Sequence, residues 1–232
     1  MRDGIAALTE LPVARFYLNT LVFVGCSVLA QLCTCTTAAY AFARLRFPGR
    51  DRVFAAVLAL LTVPTIVLLV PRFLMIDALG WVDTYPGLLS TELVSVWGIV
   101  LLRQFFLGLP RDLEDAARLD GAGEWTIFWR VALPLSRPAL ATFAVLVFAE
   151  QWRSFLWPLV IMRSPERQVV EVGLAQLHDV YHGNWPFEMA VAAAAALPML
   201  VLYAVTQKWV IQGIQWTGVS WTGEAKARRT DA

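Results

Sequence analysis

The sequence predicts an all-α integral membrane protein: five transmembrane helices and one polar helix-turn-helix insert. Three observations predict it. Hydrophobic residues make up 58% of the chain and charged residues 16%, and the mean hydropathy is +0.60, far too apolar for a soluble domain. Apolar stretches of about 20 residues, enough to cross ~30 Å of hydrocarbon, recur along the chain. The charges gather between those stretches instead of spreading along them. A net charge of +1 leaves no basic surface for nucleic acid, which excludes that class of partner.

Residues 1–17 read as an extracytoplasmic segment from the distribution of basic residues along the chain, although they lack the apolar core of a cleaved signal peptide. The transmembrane domain is expected over 18–211, with spans at 18–43, 53–76, 86–106, 139–162 and 189–211, and 212–232 form a tail. Arg44, Arg46, Arg50 and Arg52 follow the first span, Arg103, Arg111, Arg118, Arg130 and Arg137 the third, and Lys208, Lys226, Arg228 and Arg229 the fifth. Basic flanks mark the cytoplasmic side, so the N-terminus is expected outside, the C-terminus inside and the insert in the cytoplasm.

The first span carries Gln31, Thr34, Thr36 and Thr37 beside Ala38 and Ala39, a small polar face suited to close helix packing or to lining a pathway. Cys26, Cys33 and Cys35 fit neither a disulfide nor a metal site and read as small fillers. Pro64 and Pro71 in the second span each remove a backbone donor and predict a kinked helix. The short loop from Asp77 to Tyr85 is acidic, a contact for a partner arriving from outside.

The insert, within a loop at 107–138, reads helix, turn, helix, break. Pro110 suits a first helical turn, and Asp112, Glu114 and Asp115 favour the positive end of the helix dipole. Leu113, Ala116 and Ala117 form an apolar stripe on which another protein could approach the backbone closely. Gly121 and Gly123 allow a sharp stop after Asp120. Trp125, Phe128 and Trp129 then give the next helix an aromatic face until Pro134 and Pro138 interrupt it. The expected role is a plug that docks into a socket on a partner.

In the fourth span Glu150, Gln151, Trp152, Arg153 and Ser154 fall near the middle of the hydrocarbon, where each charge costs about 2.5–3.5 kcal/mol. Glu150 and Arg153 are three apart and are expected to pair on one helix face. Two readings stand: a self-neutralised pair holding the bundle, or a substrate route lined by Gln31, Glu150, Gln151, Trp152, Arg153 and Trp157, with indole faces stacking on sugar rings. His178 and His182 lie four apart, but two imidazoles alone do not complete a metal site. The alanine run from Ala190 to Ala196 permits close helix packing, and Trp209, Trp216 and Trp221 read as interfacial anchors. No phosphate-binding loop, H-E-x-x-H motif or activated nucleophile is present, so the chain has no recognisable means of hydrolysing ATP.

Asp115, Ala116, Ala117, then Gly121 after three residues, then Val131, Leu133 and Pro134 after nine more, match the spacing of the E-A-A signature of ABC importer permeases. Asp115 replaces Glu, with Glu114 just before it, and Val131 replaces Ile. Asn19-Thr20, the run Ala38 to Arg44, Leu79-Gly80, Asp83 to Tyr85 and Leu102 to Phe106 extend the likeness. The chain resembles the second permease subunit of maltose-type, carbohydrate-importing systems.

That resemblance implies a multi-pass subunit of a bacterial or archaeal plasma membrane without enzymatic activity of its own. It implies two ATPase subunits carrying ATP and Mg, a second permease, an extracytoplasmic solute-binding protein and a sugar substrate. It also implies a family-typical first span ahead of Met1, the alternative being a true five-span subunit. Gly213, Gly218, Gly223 and Lys226 would belong to a tail touching the ATPase pair. The family's W-N-D or W-N-E is replaced here by Trp152, Arg153 and Ser154, so an acidic or phosphorylated sugar is expected if Glu150 does not neutralise Arg153. An ion-driven secondary transporter remains the alternative from another class; its matched inverted halves are not evident in the sequence.

Overall fold

In the computed structural model, which describes residues 13–180 and 185–216, every regular element is helical. Helix α1 (Val13–Arg44) is the axis of the molecule. Its 32 residues make it about 48 Å long, longer than a hydrocarbon core is thick. Around it pack α5 (Val96–Gly108), α9 (Arg137–Trp152) and α11 (Val170–Val180). Apolar and small residues line the contacts: Cys35, Ala39 and Ala43 of α1 meet Leu102 and Phe106 of α5 and Phe143 and Val147 of α9, all buried. Gly98 brings α5 against α9, since a Cβ there would lie 2.5 Å from the Phe143 ring.

Of the other predicted spans, the fifth falls within one continuous helix, Trp185–Trp216, whereas the second, third and fourth are broken. Among the described residues, α1 alone is a continuous helix long and apolar enough to cross a membrane; two bent helix pairs would add two more. The expected second span breaks into α2 (Arg50–Ala59), two tight 3-10 turns and α3 (Leu69–Ala78), with a 93° bend. Pro64 causes it. Its residue and Val63 are extended, at ψ 128° and 116°, and the missing N–H ends the ladder. Pro71 does not kink the chain, because it falls in the first turn of α3, where no intrahelical donor is needed.

The third expected span divides into α4 (Tyr85–Ser90) and α5, separated by residues 91–95. Cys35 is more than a filler at this break. Its buried Sγ accepts from the Ser95 amide at 3.3 Å and donates to the Ser95 carbonyl at 3.4 Å, while Ser95 Oγ caps α5 through the Gly98 amide.

The insert forms α6 (Asp112–Leu119), α7 (Glu124–Ile127), a π-helical turn (Phe128–Ala132) and α8 (Leu133–Leu135). The wide turn carries the chain past Pro134: the Leu133 amide bonds back to Phe128, five residues away. Pro134 therefore does not interrupt the helical course. The break comes at Ser136, where the path turns 75° into α9 and Ser136 Oγ donates to the Ala132 carbonyl.

The fourth expected span also ends early. Helix α9 stops at Trp152, and α10 (Leu156–Ile161) follows after a three-residue gap. A 3-10 turn (Pro165–Arg167), α11 and the long α12 (Trp185–Trp216) complete the described chain. Ala195 of α12 is buried against Phe16 and Val170, as the alanine run led one to expect. His182, the tail 217–232 and the side chains of His178, Trp209 and Trp216 lie outside what the structure describes.

At the end of α1 remote from the insert, Asn19 Nδ2 donates to the carbonyls of Glu166 and Gln168, both at 2.9 Å. The acidic loop is not free for a visitor. Asp83 accepts from the amides of Arg163 and Ser164 at 3.0 Å, from the Ser164 hydroxyl, and pairs with Arg167 at 3.6 Å. Burial pushes its carboxyl up, but those donors and the Arg167 guanidinium outweigh it and hold the group below its ordinary value.

Candidate functional site: a docking insert and a polar cleft

The insert is ordered by local rules at its turn and by charge at its base. Asp112, Glu114 and Asp115 occupy the first turn of α6 and Arg118 the last, matching the helix dipole at both ends. Gly121 sits at φ +81° just past the helix. Its amide bonds the Arg118 carbonyl at 3.0 Å, and the Ala122 amide bonds the Ala117 carbonyl at 2.9 Å. These are the two reciprocal bonds of a Schellman stop, which requires a left-handed residue at this position. No atom lies within 4 Å of a Cβ built on Gly121, so conformation and not space demands glycine within this chain.

Helix α6 has two unlike faces. Leu113 is 48% and Leu119 90% exposed, with Ala116 exposed and Ala117 half-buried between them. Glu114 is turned the other way and is 3% exposed. It pairs with Arg44, the last residue of α1, at 3.3 Å and with Arg118 at 3.7 Å. Arg118 also reaches Asp115 at 2.8 Å and Glu124 at 3.0 Å. Glu124 hydrogen bonds and the surrounding carboxylates hold the Arg118 guanidinium firmly charged, against a smaller effect of burial.

Asp115 and Asp120 are exposed, and Asp120 closes the helix with its amide on the Ala116 carbonyl. Val131, Leu133 and Pro134 are half-buried and bring the signature back towards the bundle. The aromatic face divides: Phe128 is buried against Tyr40, with ring centroids 4.9 Å apart, whereas Trp125 and Trp129 remain 69% and 59% exposed.

The second cluster lies halfway along α1. Gln31 is thirteen residues from Arg44, about 20 Å, and its Nε2 donates to the Glu92 carbonyl at 2.9 Å. Glu92, in the break between α4 and α5, also accepts from Gln151 Nε2 at 2.9 Å and pairs with Arg72 at 3.7 Å. Arg72, Glu92 and Gln151 line an open cleft of about 450 Å³ with Glu150, Arg153, Ser154 and Trp157, while Gln31 is buried behind it against the Glu92 carbonyl. Arg72 and Glu92 escaped the sequence reading, although a carboxylate inside an expected span is a signal in its own right.

The expected Glu150–Arg153 pair is not formed. Helix α9 ends between them, so Glu150 accepts from Trp97 Nε1 at 3.3 Å and Arg153 Nε donates to its own helix at the Ala149 carbonyl, 3.1 Å. Arg153 makes no ion pair among the described residues; its nearest acidic influence is Glu171, whose carboxyl burial raises and Arg153 partly lowers. Trp152 is 1% exposed, stacked on Phe148, and donates to the Ala195 carbonyl at 3.2 Å, which makes it a core residue joining α9 to α12 and not a stacking surface in the cleft. Trp157 borders the cleft but is 6% exposed, with its N–H spent on the Leu88 carbonyl.

Comparison with known proteins identifies the family. A family profile described as "Binding-protein-dependent transport system inner membrane component" matches residues 35–214. The chain is 34% identical to the arabinooligosaccharides transport system permease protein of Bacillus subtilis over 205 residues, 88% of this chain and 73% of the relative. It is 31% identical to the diacetylchitobiose uptake system permease protein of Streptomyces coelicolor over 209 residues, 87% and 68% of the two chains. A crystal structure of a bacterial ABC transporter involved in the import of the acidic polysaccharide alginate superposes with a TM-score of 0.75 at 27% identity, covering 84% of this chain and 74% of that one. With a profile spanning most of its length, a relative above 30% identity and the same helical fold, this chain belongs to the binding-protein-dependent transport system inner membrane components, the permease subunits of ABC importers, which are not themselves enzymes.

Proposed function

We propose that this subunit forms half of a sugar-translocating pathway and takes its energy from a separate ATPase docked on α6. The observation that carries the reading is the division of α6 into a face tied to the bundle through Glu114 and a face left open at Leu113, Ala116 and Leu119. An amphipathic helix whose apolar side has no cover within the chain suits insertion into a groove on a partner. The coupling set is Glu114, Asp115, Ala116, Ala117, Asp120, Gly121, Val131, Leu133 and Pro134.

In this reading α6 faces the cytoplasm and the Asn19 end of α1 faces outward, in a bacterial or archaeal plasma membrane. Two ATPase subunits hold ATP and Mg, a second permease completes the pore, and an extracytoplasmic solute-binding protein delivers the sugar. ATP-driven closure of the ATPase pair moves α6, and the helices rock between inward and outward openings. The cleft at Glu92, Glu150 and Gln151 lies near mid-bundle beside the buried Gln31, where an alternating pathway needs its polar groups. Family membership removes the ion-driven alternative.

The unpaired Arg153 favours a second reading of the cargo, an acidic sugar, because its guanidinium is not neutralised by Glu150. ATP-dependent uptake in vesicles holding the whole complex tests the assignment. Ala117→Glu and Gly121→Pro are expected to insert normally yet lose coupled uptake and ATPase association; uptake that persists without the ATPase would refute it. Arg153→Gln should depress uptake of a uronate-containing oligosaccharide at least tenfold more than that of a neutral one, and equal losses would reject the acidic reading.

A further inference from the structure

The Arg44–Glu114 contact lies almost entirely out of solvent, with side chains 2% and 4% exposed and Nε and Oε1 3.3 Å apart. The two facing atoms meet off hydrogen-bonding geometry, and neither has a hydrogen bond of its own. For these two atoms the opposite charge is the only compensation among the described residues, while Glu114 Oε2 also faces Arg118 and Arg44 Nη2 the Leu109 carbonyl. Such a pair adds little net stability, since desolvation offsets the attraction, but removing one partner strands a buried charge. Its consequence is mainly geometrical.

Arg44 is the last residue of α1, and its Nη2 also donates to the Leu109 carbonyl at 2.6 Å, in the strap between α5 and α6. Glu114 passes the connection to Arg118, which fans out to Asp115 and to Glu124 at the start of α7. Both arms of the insert are thus joined by charge to one end of the 32-residue helix α1. At the other end, Asn19 grips the carbonyls of Glu166 and Gln168, and Thr20 Oγ1 accepts from the Val170 amide at 2.9 Å. Those grips lie 25 residues from Arg44, about 38 Å along one rigid helix. Among the described residues, α1 is the one continuous helix with the length and apolarity of a membrane span, and it runs from the insert to the segment that Asn19 holds.

We infer that Glu114, acting through Arg44, is the positioning residue that carries movement of the docked insert into α1 and so to the outer segment. Asp115, one residue on and exposed, belongs to the partner's side of α6 and not to this link. The inference rests on the docking reading, and the test separates the two.

The complete importer would be assembled in vesicles with Glu114→Gln, Arg44→Gln, the double variant, and Ala117→Glu as the docking control. Three quantities are measured: ATPase subunits retained per permease, thermal stability, and sugar taken up per ATP hydrolysed. Glu114→Gln and the double variant are expected to retain the ATPase within about twofold while uptake per ATP falls at least tenfold. The double variant should recover thermal stability relative to either single change, because no charge is stranded, yet leave coupling lost; that separation marks transmission as opposed to simple support. Wild-type uptake per ATP in the double variant, or loss of the ATPase on Glu114→Gln, would overturn the inference while Ala117→Glu still sheds the ATPase. Should Ala117→Glu keep the ATPase bound, the docking reading itself falls and the inference with it.

Discussion

Replacing Gly121 separates a conformational requirement from a steric one. At φ +81° an L side chain pays about 1–2 kcal/mol, partly offset by the lower unfolded-state entropy of any non-glycine residue. With no atom of the chain within 4 Å of the new Cβ, no clash adds to this. Gly121→Ala should therefore cost about 1 kcal/mol net, and Gly121→Val, whose branch tolerates this region least, about 2 kcal/mol. Gly121→Asn should cost only a few tenths, because asparagine visits the left-handed region readily. If the Schellman stop is what presents α6, affinity of the isolated ATPase for the permease pair in nanodiscs should fall about fivefold for alanine and about thirtyfold for valine, and less than threefold for asparagine. Equal affinities across the series would refute the reasoning. Asparagine as damaging as valine would also refute it, and would show that the partner's backbone, not the chain's own turn, requires glycine.

Other perturbations follow from single contacts. Trp152→Ala should lower stability by about 3–5 kcal/mol and Trp152→Phe, which leaves the Ala195 carbonyl without its donor and removes part of a buried ring system, by about 1–3 kcal/mol, read from thermal unfolding in nanodiscs. Glu92→Gln should strip Arg72 of its counter-charge and lower sugar uptake without changing ATPase retention; unaltered uptake would remove the Arg72–Glu92–Gln151 cluster from the pathway. Because the Asp83 carboxyl is held below its ordinary value of 3.8, its grip on the Arg163–Arg167 segment is complete above that pH and is lost as pH falls through the folded value. Protease cleavage in that segment should rise on acidification in the wild type and be high and independent of pH in Asp83→Asn.

How much could be read in advance follows from the range of each interaction. The insert was legible because its determinants are neighbours in sequence: the acidic first turn, the glycine stop after Asp120 and the alanine stripe act within ten residues. The first span was legible too, since nothing in 18–43 breaks a helix. The fifth falls within one continuous helix as well, but the second, third and fourth do not, and their breaks were not legible because hydropathy reports apolarity, not direction. It cannot distinguish a straight helix from one turned through 93° at Pro64, or foresee that α9 stops at Trp152 and parts Glu150 from Arg153.

The site divides along the same line. Glu114 and Asp115 are adjacent acids about 100° apart around one helix, and the sequence pattern favoured Asp115 for its place in the signature. Which of them turns inward depends on the rotation of α6 against α1, a relation set by Arg44 seventy residues earlier in the chain. The Arg72–Glu92–Gln151 cluster likewise joins three helical segments that no local spacing connects. By itself the sequence determined the membrane class, the first long helix, the polar helical insert and its glycine stop, because apolar length and turn chemistry are local properties. Only the tertiary structure decided which charges are buried together, which tryptophans are core, and where the spans break, because a charge in a low-dielectric interior is defined by the partner that packing brings to it.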